Sequence, residues 1–270
     1  AASDVYKRQP LNSGEWEVIR YQSATYGSLI QKLTGICRIQ NNEVLETYEK
    51  LYPENDYFNS FDEFKSGVLI LCVKPQSINE IFVQIKDKIH EGVLICSPVA
   101  GLDIDHIEKS ISNKIIRIMP NLLIRNNKGF IPYSKNYEND YLDFIQSTLN
   151  HLGRTKEFSE QYFPVITALS GSGPAWFFLL SNELINAGNK LGLSNQESEI
   201  LVNEIIKGLP EFISDDVTFS DLISKVKSPK GTTEAGLNSL KNDSFDTIIL
   251  NAIEKASQRS IELSKELKSE

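Results

Sequence analysis

The sequence predicts an α/β fold, in which a doubly wound parallel sheet is followed by an all-helical domain. Residues 68–73 and 93–96 are apolar at successive positions, as in strands that helices cover on both faces. Strand-like and helix-like stretches alternate from about residue 16 to 157, which indicates repeated βαβ units. After about residue 160 only helical periodicity continues.

The same patterns place the individual elements. Strands are predicted over 16–20, 36–39, 67–73, 92–97 and 114–119, and helices over 24–35, 43–51, 76–89, 102–112 and 137–152. In the helical part, Ser194 followed by Glu197 predicts a capping box at a helix start. Apolar residues at helical spacing over 244–265 predict a long final helix.

The predicted domains have boundaries near residues 9 and 158. Residues 1–9 read AASDVYKRQ, which leads into no element and is typical of a non-native leader. Residues 10–158 are predicted to form a Rossmann-like domain, whose ligand lies at the carboxyl ends of the strands. Residues 159–270 are predicted to form the helical domain.

Charge and composition exclude several partners. The 28 basic and 36 acidic residues give a net charge of −8 at pH 7 without any basic stripe, which predicts no nucleic-acid partner. No run of about 18 consecutive apolar residues and no charged leader occurs, which predicts no membrane partner and a cytoplasmic location. Cys37, Cys72 and Cys96 lie in or beside apolar runs, as buried reduced thiols do, so no metal site is expected.

Two glycine-containing turns are candidates for ligand contacts. Residues 169–176 run from a small-residue turn into an apolar helix, with Pro174 near its start, and are typical of tight helix packing or of close approach to a ligand. Residues 228–237 place hydroxyls and free N–H groups at a helix start, which suits a carboxylate. The alternative for this second turn is an ordinary helix start with Thr232 or Thr233 as the capping residue.

Four ordered blocks carry a family resemblance. They read VLILCVKPQ, IIRIMPN, TALSGSGPAWFFLLSNELINAG and KVKSPKGTTEAGL, and the tail FDTIILNAIEKASQRSIEL follows them. Over about residues 60 to 265 the chain resembles pyrroline-5-carboxylate reductases. The resemblance implies a Rossmann-like domain that binds NADPH or NADH, and a helical domain that forms a homodimer or a larger homo-oligomer built from dimers.

The resemblance also implies an activity and a site. The activity is hydride transfer from NAD(P)H to the C=N bond of 1-pyrroline-5-carboxylate, which gives L-proline in proline biosynthesis. Substrate-binding positions match Glu160, Ser228, Gly231, Thr232 and Thr233, and Thr233 is the candidate catalytic residue. Positions that would line the cofactor match Ser23, Ala24, Thr25, Asn59, Cys72, Val73, Lys74 and Ala100.

Two departures from the family pattern affect these expectations. Tyr21 and Ser23 stand where the first two glycines of the phosphate-binding fingerprint belong, which predicts impaired cofactor binding. Lys230 replaces the first glycine of the serine-proline-glycine-glycine turn and adds a positive charge there. The alternative functions are a non-catalytic or cofactor-altered homologue acting as a binding module, and a reductase of another cyclic imine.

Overall fold

The computed structural model describes residues 16–17, 37–38, 67–71, 75–138 and 149–269. The chain divides into two compact units. The first ends at Ser172 and resumes over Glu254–Glu270, and the second is Gly173–Ile253. The domain boundary that the sequence analysis places at residue 159 stays a prediction.

A five-stranded sheet organises the first unit. Its strands lie in chain order: β3 (Gly67–Ile70), β4 (Val93–Ser97), β5 (Lys114–Ile118), β6 (Gly129–Lys135) and β7 (Gly153–Glu157). The pairs β3–β4 and β4–β5 are parallel, β6 runs antiparallel to β5, and β7 is parallel to β6. The predicted α/β class with a mainly parallel sheet is confirmed.

Strands β6 and β7 were not predicted from the sequence. Strand β6 contains Pro132, which weakens a strand prediction because proline cannot donate to a ladder. Strand β7 has the sequence GRTKE with largely exposed side chains, so it offers no apolar run. Both strands are defined by backbone pairing to a neighbour rather than by their own composition.

The two strands nearest the N-terminus differ from the prediction. Strands β1 (Trp16–Glu17) and β2 (Cys37–Arg38) pair antiparallel in a separate two-stranded sheet. A parallel arrangement requires a crossover connection, usually a helix. The helix predicted for that crossover, 24–35, lies outside the described residues, as does the helix predicted over 43–51.

Helices and short helical turns complete the first unit. They are α1 (Ile78–Ile85), α2 (Ile104–Ser110), α3 (Asn150–Leu152) and α4 (Phe163–Ile166), with a π-helical turn over Thr167–Gly171 and 3-10 turns at Pro75–Ser77, Leu122–Asn126 and Glu160–Tyr162. Helices α1 and α2 pack their apolar faces on the sheet, and Ile78, Ile95, Ile107 and Ile115 are fully buried. The unit therefore has the layered core that the apolar strands predicted.

The second unit is helical. It contains α5 (Gly173–Lys190), α6 (Asn195–Gly208), α7 (Phe219–Val226), α8 (Thr232–Asn242) and the start of α9 (Phe245–Ser269), with a 3-10 turn at Leu209–Phe212. The predicted capping box is confirmed, because Glu197 N donates to Ser194 Oγ at 3.3 Å and Ser194 N donates to Glu197 Oε2 at 2.8 Å. The predicted long final helix is confirmed by α9.

Apolar side chains on the second unit are widely exposed. Phe177 is 72% exposed, and Phe212, Ile248 and Leu250 are more than half exposed. Contiguous apolar surface of this kind marks an interaction site. By length and composition, the helical stretch Glu160–Lys190 could cross a bilayer. Helices of water-soluble proteins also meet this criterion, so it does not identify a membrane span.

The end of α9 packs on the first unit. Leu267 is buried in the core with α1, and Asn79 Nδ2 donates to Leu267 O at 3.2 Å. Gly101 has φ +79°, and a Cβ there would lie 2.8 Å from Leu263 Cβ, so the turn after β4 needs glycine. Asp103 Oδ2 accepts from Ser264 Oγ at 3.1 Å and pairs with Lys268 Nζ at 2.6 Å.

Asp103 also caps α2, because its Oδ1 accepts from His106 N at 2.9 Å. Burial by itself raises the pKa of Asp103, but the hydrogen bond from Lys268, the N–H of His106 and the charge of Lys268 outweigh it and hold the pKa below its ordinary value. A carboxyl whose pKa is lower in the folded state stabilises the fold above its unfolded pKa. That contribution is lost as the pH falls through the folded pKa.

We expect Asp103→Asn to lower the free energy of unfolding at pH 7 by about 1 kcal/mol or less, because asparagine keeps the helix cap but loses the half-exposed pair with Lys268. The difference from the wild type should shrink and then vanish as the pH falls through the lowered folded-state pKa of Asp103. Thermal unfolding of both proteins across this pH range measures it. Lys268→Met should give a similar loss at pH 7, and an Asp103→Asn effect that persists unchanged at low pH would contradict the assignment.

The turn before α8 holds a lysine in a left-handed conformation. Gly231 N donates to Ser228 O at 3.0 Å, and Lys230 between them has φ +60°. A residue with a Cβ pays about 1–2 kcal/mol in this region, whereas the extra unfolded-state entropy of glycine costs about 0.4–1 kcal/mol. Lys230 is therefore strained where glycine is favoured.

We expect Lys230→Gly to raise the free energy of unfolding by up to about 1 kcal/mol, as the difference between these two effects. Urea unfolding with an unchanged slope measures it. The matched control is Lys227→Gly, at a position with φ −77°, which should not stabilise the protein. Equal effects of the two substitutions would contradict strain at Lys230.

Candidate functional site

The start of α8 presents backbone donors. The helix begins at Thr232 with Gly231 at the N-cap, and no side chain caps it. The first helical hydrogen bond is Ala235 N to Gly231 O at 3.2 Å, so the N–H groups of Thr232, Thr233 and Glu234 have no acceptor within the helix. The expectation that Thr232 or Thr233 caps the helix is wrong, because both lie inside it and Gly231 holds the cap position.

Charges beside this helix start are arranged around Glu234. Its Oε1 pairs with Lys227 Nζ at 3.2 Å, and its Oε2 accepts from Lys230 N at 2.8 Å. The Lys230 N–H and the Lys227 ammonium lower the pKa of Glu234. Because the carboxylate is held by these partners, its repulsion of an anion at the helix start is partly offset.

Glycine at position 231 is required by close packing within the turn. A Cβ on Gly231 would lie 2.2 Å from Ser228 Oγ and 3.1 Å from Ser228 O. Ser228 and Thr232 are exposed, and Gly231 and Thr233 are half-exposed. The structure therefore brings four of the predicted substrate residues, Ser228, Gly231, Thr232 and Thr233, together at one amide-rich turn of the second unit.

Glu160 lies in the first unit and is held by a buried arginine. Arg117 on β5 has a side chain only 5% exposed, and its Nη1 lies 2.5 Å from Glu160 Oε1. The guanidinium also stacks over the ring of Phe163, 4.5 Å from its centroid. Such a pairing is needed because a buried charge without a partner is strongly destabilising.

Arg117 was not predicted as a site residue. The available signal was a cation between Ile116 and Ile118, in a strand whose other described side chains are mainly apolar. A strand that is buried on both faces rarely carries a charged side chain unless an oppositely charged group lies beside it. The sequence therefore indicates that Arg117 has a partner, but it does not indicate that the partner is Glu160.

Glu160 and Arg117 line a cavity of 290 Å³ in the first unit. Its polar walls also include Asp103, Ser260, Ser264 and Lys265. Glu160 Oε2 and Arg117 Nε are buried and have no hydrogen-bond partner among the residues that the structure describes. One carboxylate oxygen of Glu160 is thus engaged by the protein, and the other is buried without a partner among the described residues.

The sheet edge offers a place for a dinucleotide. Strands β3, β4 and β5 are parallel, so their carboxyl ends meet at one edge, where such ligands bind. Ala100, just beyond β4, is half-exposed and carries only a methyl group, which fits close approach of a cofactor. Beyond β5, Asn121 Nδ2 donates to Ser170 O at 3.1 Å.

Most of the predicted cofactor residues lie outside the described part of the chain. They are Ser23, Ala24, Thr25, Asn59, Cys72, Val73 and Lys74. Within residues 75–138 and 149–269 no group of three His, Cys, Asp or Glu side chains could hold a metal ion. Ala100 is therefore the one predicted cofactor residue whose surroundings the structure defines.

Comparison with known proteins gives consistent matches. The family described as pyrroline-5-carboxylate reductase dimerisation matches residues 160–263. The pyrroline-5-carboxylate reductase of Staphylococcus aureus is 30% identical over 230 residues, which cover 83% of this chain and 85% of that protein.

Solved structures agree with these sequence matches. The Plasmodium falciparum pyrroline carboxylate reductase with NADP bound is 30% identical, with a TM-score of 0.70 over 78% of this chain and 82% of that one. The Coxiella burnetii pyrroline-5-carboxylate reductase is 26% identical, with a TM-score of 0.75 over 85% and 88%. The chain belongs to the pyrroline-5-carboxylate reductase family.

Proposed function

We propose that this chain reduces 1-pyrroline-5-carboxylate to L-proline with NAD(P)H, as an enzyme of proline biosynthesis. Membership of the reductase family supports the reaction. The structural observation that carries it is the uncapped start of α8, where backbone N–H groups and three hydroxyl side chains meet at one turn. An acidic small molecule is the ligand that such a turn suits.

The turn at 228–233 is the proposed carboxylate site. The N–H groups of Thr232 and Thr233 donate to the carboxylate, and the positive end of the α8 dipole adds to the attraction. The hydroxyls of Ser228, Thr232 and Thr233 supply further donors. Gly231 leaves the backbone accessible, because no side chain stands between the turn and the ligand.

The chemistry requires little acid–base machinery. The protonated C=N carbon is already electrophilic, so catalysis consists mainly of positioning and of electrostatic stabilisation. When bound, NAD(P)H supplies the hydride that forms the new C–H bond while the C=N π pair moves to nitrogen. Thr233 is assigned a hydrogen bond to the imino nitrogen and the relay of a proton there.

Glu160 is assigned to the substrate through its second oxygen. Arg117 and Ile104 N occupy Oε1, at 2.5 and 3.3 Å, whereas Oε2 has no partner among the described residues. A carboxylate oxygen in this state favours a cationic group such as the protonated imine. Arg117 thus holds the Glu160 carboxylate in place through Oε1.

The cofactor is assigned to the sheet edge. Ala100 would line it at the end of β4, and Ser23, Ala24, Thr25, Asn59, Cys72, Val73 and Lys74 are proposed for the remaining contacts on the basis of the family resemblance. NADPH is the first choice because NADP is bound in the Plasmodium falciparum reductase. NADH is the alternative nucleotide of the same class.

A homo-oligomer of at least two chains is proposed as the active form, with a cytoplasmic location. The match to a dimerisation family over 160–263 supports it. The exposed apolar surface of α5, α6 and α9 supplies the area that association would bury. A dimer is the smallest assembly that fits, and larger assemblies would be built from dimers.

Steady-state oxidation of NADPH with 1-pyrroline-5-carboxylate tests the proposal. We expect turnover and formation of proline, together with a higher melting temperature when NADPH is added to the free protein. Absence of turnover with both NADPH and NADH would refute the enzyme assignment. Binding without turnover would then favour the non-catalytic homologue, or a reductase of another cyclic imine.

Thr233→Ala should lower kcat by roughly a hundredfold, the usual contribution of a group that transfers a proton. Binding of NADPH, measured by tryptophan fluorescence, should be unchanged, because Thr233 is assigned to the substrate. Thr155→Ala on β7 is the matched control and should keep the wild-type rate. An unchanged kcat in Thr233→Ala would remove the catalytic role from this residue.

Phe178→Asp should shift the protein towards monomer, because Phe178 on α5 is 58% exposed in the single chain and a buried charge at an interface is costly. Light scattering coupled to size-exclusion chromatography measures the mass. Val83→Asp places the same charge on another exposed apolar position, 69% exposed on α1, and should leave the mass unchanged. Equal behaviour of the two variants would argue against association through α5.

A further inference from the structure

We infer that Arg117 is a positioning residue for the cofactor edge: through Glu160 it fixes the start of α2, and with it the turn of residues 98–103 that carries Ala100. The inference rests on the proposed function, in which Ala100 lines the nicotinamide nucleotide. Arg117 itself is buried inside the first unit and is assigned no contact with either ligand.

The contact chain has two links. Arg117 Nη1 bonds Glu160 Oε1 at 2.5 Å, and the same oxygen accepts from Ile104 N at 3.3 Å. Ile104 is the first residue of α2, so its N–H has no acceptor within the helix. Glu160 therefore joins the middle of the sheet to the first residue after the turn.

The turn is held on both sides of Ala100. Upstream, Val99 is buried, and its N–H donates to Ser97 Oγ at 3.3 Å. Downstream, Gly101 packs against Leu263, and Asp103 is bonded by Ser264 and Lys268. Ala100 therefore lies in a turn that is restrained at Ser97, at Gly101 and at the start of α2, and the Glu160 bond to Ile104 N is one of these restraints.

Arg117 is suited to this role because its guanidinium group is itself held in place. Its guanidinium bonds the Glu160 carboxylate and also lies over the Phe163 ring, so it is held by a hydrogen bond and by a cation–π contact. Removing Arg117 leaves the Glu160 carboxylate beside a 290 Å³ cavity, with the Ile104 N–H as its one remaining partner among the described residues. The carboxylate would then turn towards solvent, and Ile104 N would lose its acceptor or keep a weaker one.

A purely structural role predicts a different outcome. A buried ion pair that only supports the fold lowers the melting temperature when it is broken, while the molecules that stay folded bind ligand as before. A positioning role changes ligand affinity in the folded protein and changes the protection of the Ile104 amide. These two readouts separate the roles.

The experiment uses the full chain and three variants. Arg117→Met removes the charge and the donors, Arg117→Lys restores the charge and one donor, and Lys156→Met removes an exposed cation that also lies over a phenylalanine ring, that of Phe158. The dissociation constant of NADPH is measured by calorimetry at a temperature at which circular dichroism finds every variant folded. Hydrogen exchange of the Ile104 amide is measured on the free proteins.

We expect Arg117→Met to weaken NADPH binding roughly tenfold to a hundredfold, as displacement of a ligand-lining segment does, and to speed exchange at Ile104. Arg117→Lys should lie closer to the wild type in both readouts, and Lys156→Met should match the wild type. In turnover, the KM for NADPH should rise more than kcat falls. If Arg117→Met does not fold, Arg117→Gln replaces it with the same expected direction.

Unchanged NADPH affinity in a folded Arg117→Met protein, with a lower melting temperature only, would overturn the inference. So would unchanged exchange at Ile104. Failure of the wild type to bind NADPH and NADH is a separate result: it removes the proposed function, and the exchange at Ile104 then decides alone whether Arg117 fixes the start of α2.

Discussion

The structure depends on how the backbone donors at helix starts are satisfied. A helix leaves its first N–H groups without internal acceptors, and each must find a side chain, water or a ligand. In α2, α6 and α7 side chains fill this need: Asp103 and Glu160 at α2, the Ser194 and Glu197 box at α6, and the Thr218 and Asp221 box at α7. Helix α8 is different, because Gly231 stands at its cap and offers no side chain. Side chains meet this demand at these three helices, whereas at α8 the donors stay available, and this is where an anionic substrate is assigned.

A second constraint is the apolar surface of the helical unit. Phe177, Phe212, Ile248 and Leu250 are more than half exposed, although their helices repeat apolar residues at the spacing of a buried face. Burial of apolar area is the main stabilising contribution to folding and to association. In a single copy, much of the apolar surface of α5, α6 and α9 stays exposed and does not make this contribution. A second copy would supply it, which connects the periodicity of the sequence to the dimerisation family that matches residues 160–263.

The sequence predicted those parts of the fold that local chemistry determines. Uninterrupted apolar runs identified β3 and β4, a mainly apolar run identified β5, and the Ser194 box identified the start of α6, because each depends on neighbouring residues alone. Strand β7 was missed because its polar sequence GRTKE becomes a strand only by pairing with β6. The capping role expected of Thr232 or Thr233 failed for a related reason: several residues could start the helix, and the Ser228 to Gly231 turn determines which one does. Within the candidate site, the amide-rich turn was identified from its residues and from the family resemblance. The pair of Arg117 and Glu160 joins positions 43 apart in sequence, so it can be recognised only from the fold.

Because the chain as a whole is negatively charged, the charges nearest the start of α8 determine whether an anion is attracted there. With a net charge of −8, the protein as a whole repels the anion that it is proposed to bind. At physiological ionic strength that repulsion is screened beyond about 8 Å, so the groups nearest the turn determine the local potential. There Lys227 and Lys230 flank the uncapped helix start, and Glu234 is held by Lys227 Nζ and Lys230 N. The left-handed backbone of Lys230 costs stability that glycine would not, but it keeps a cation beside the helix start. Replacing this lysine by glycine removes the backbone strain but also removes the positive charge. The substitution should therefore raise the stability of the protein and lower its affinity for the anionic substrate.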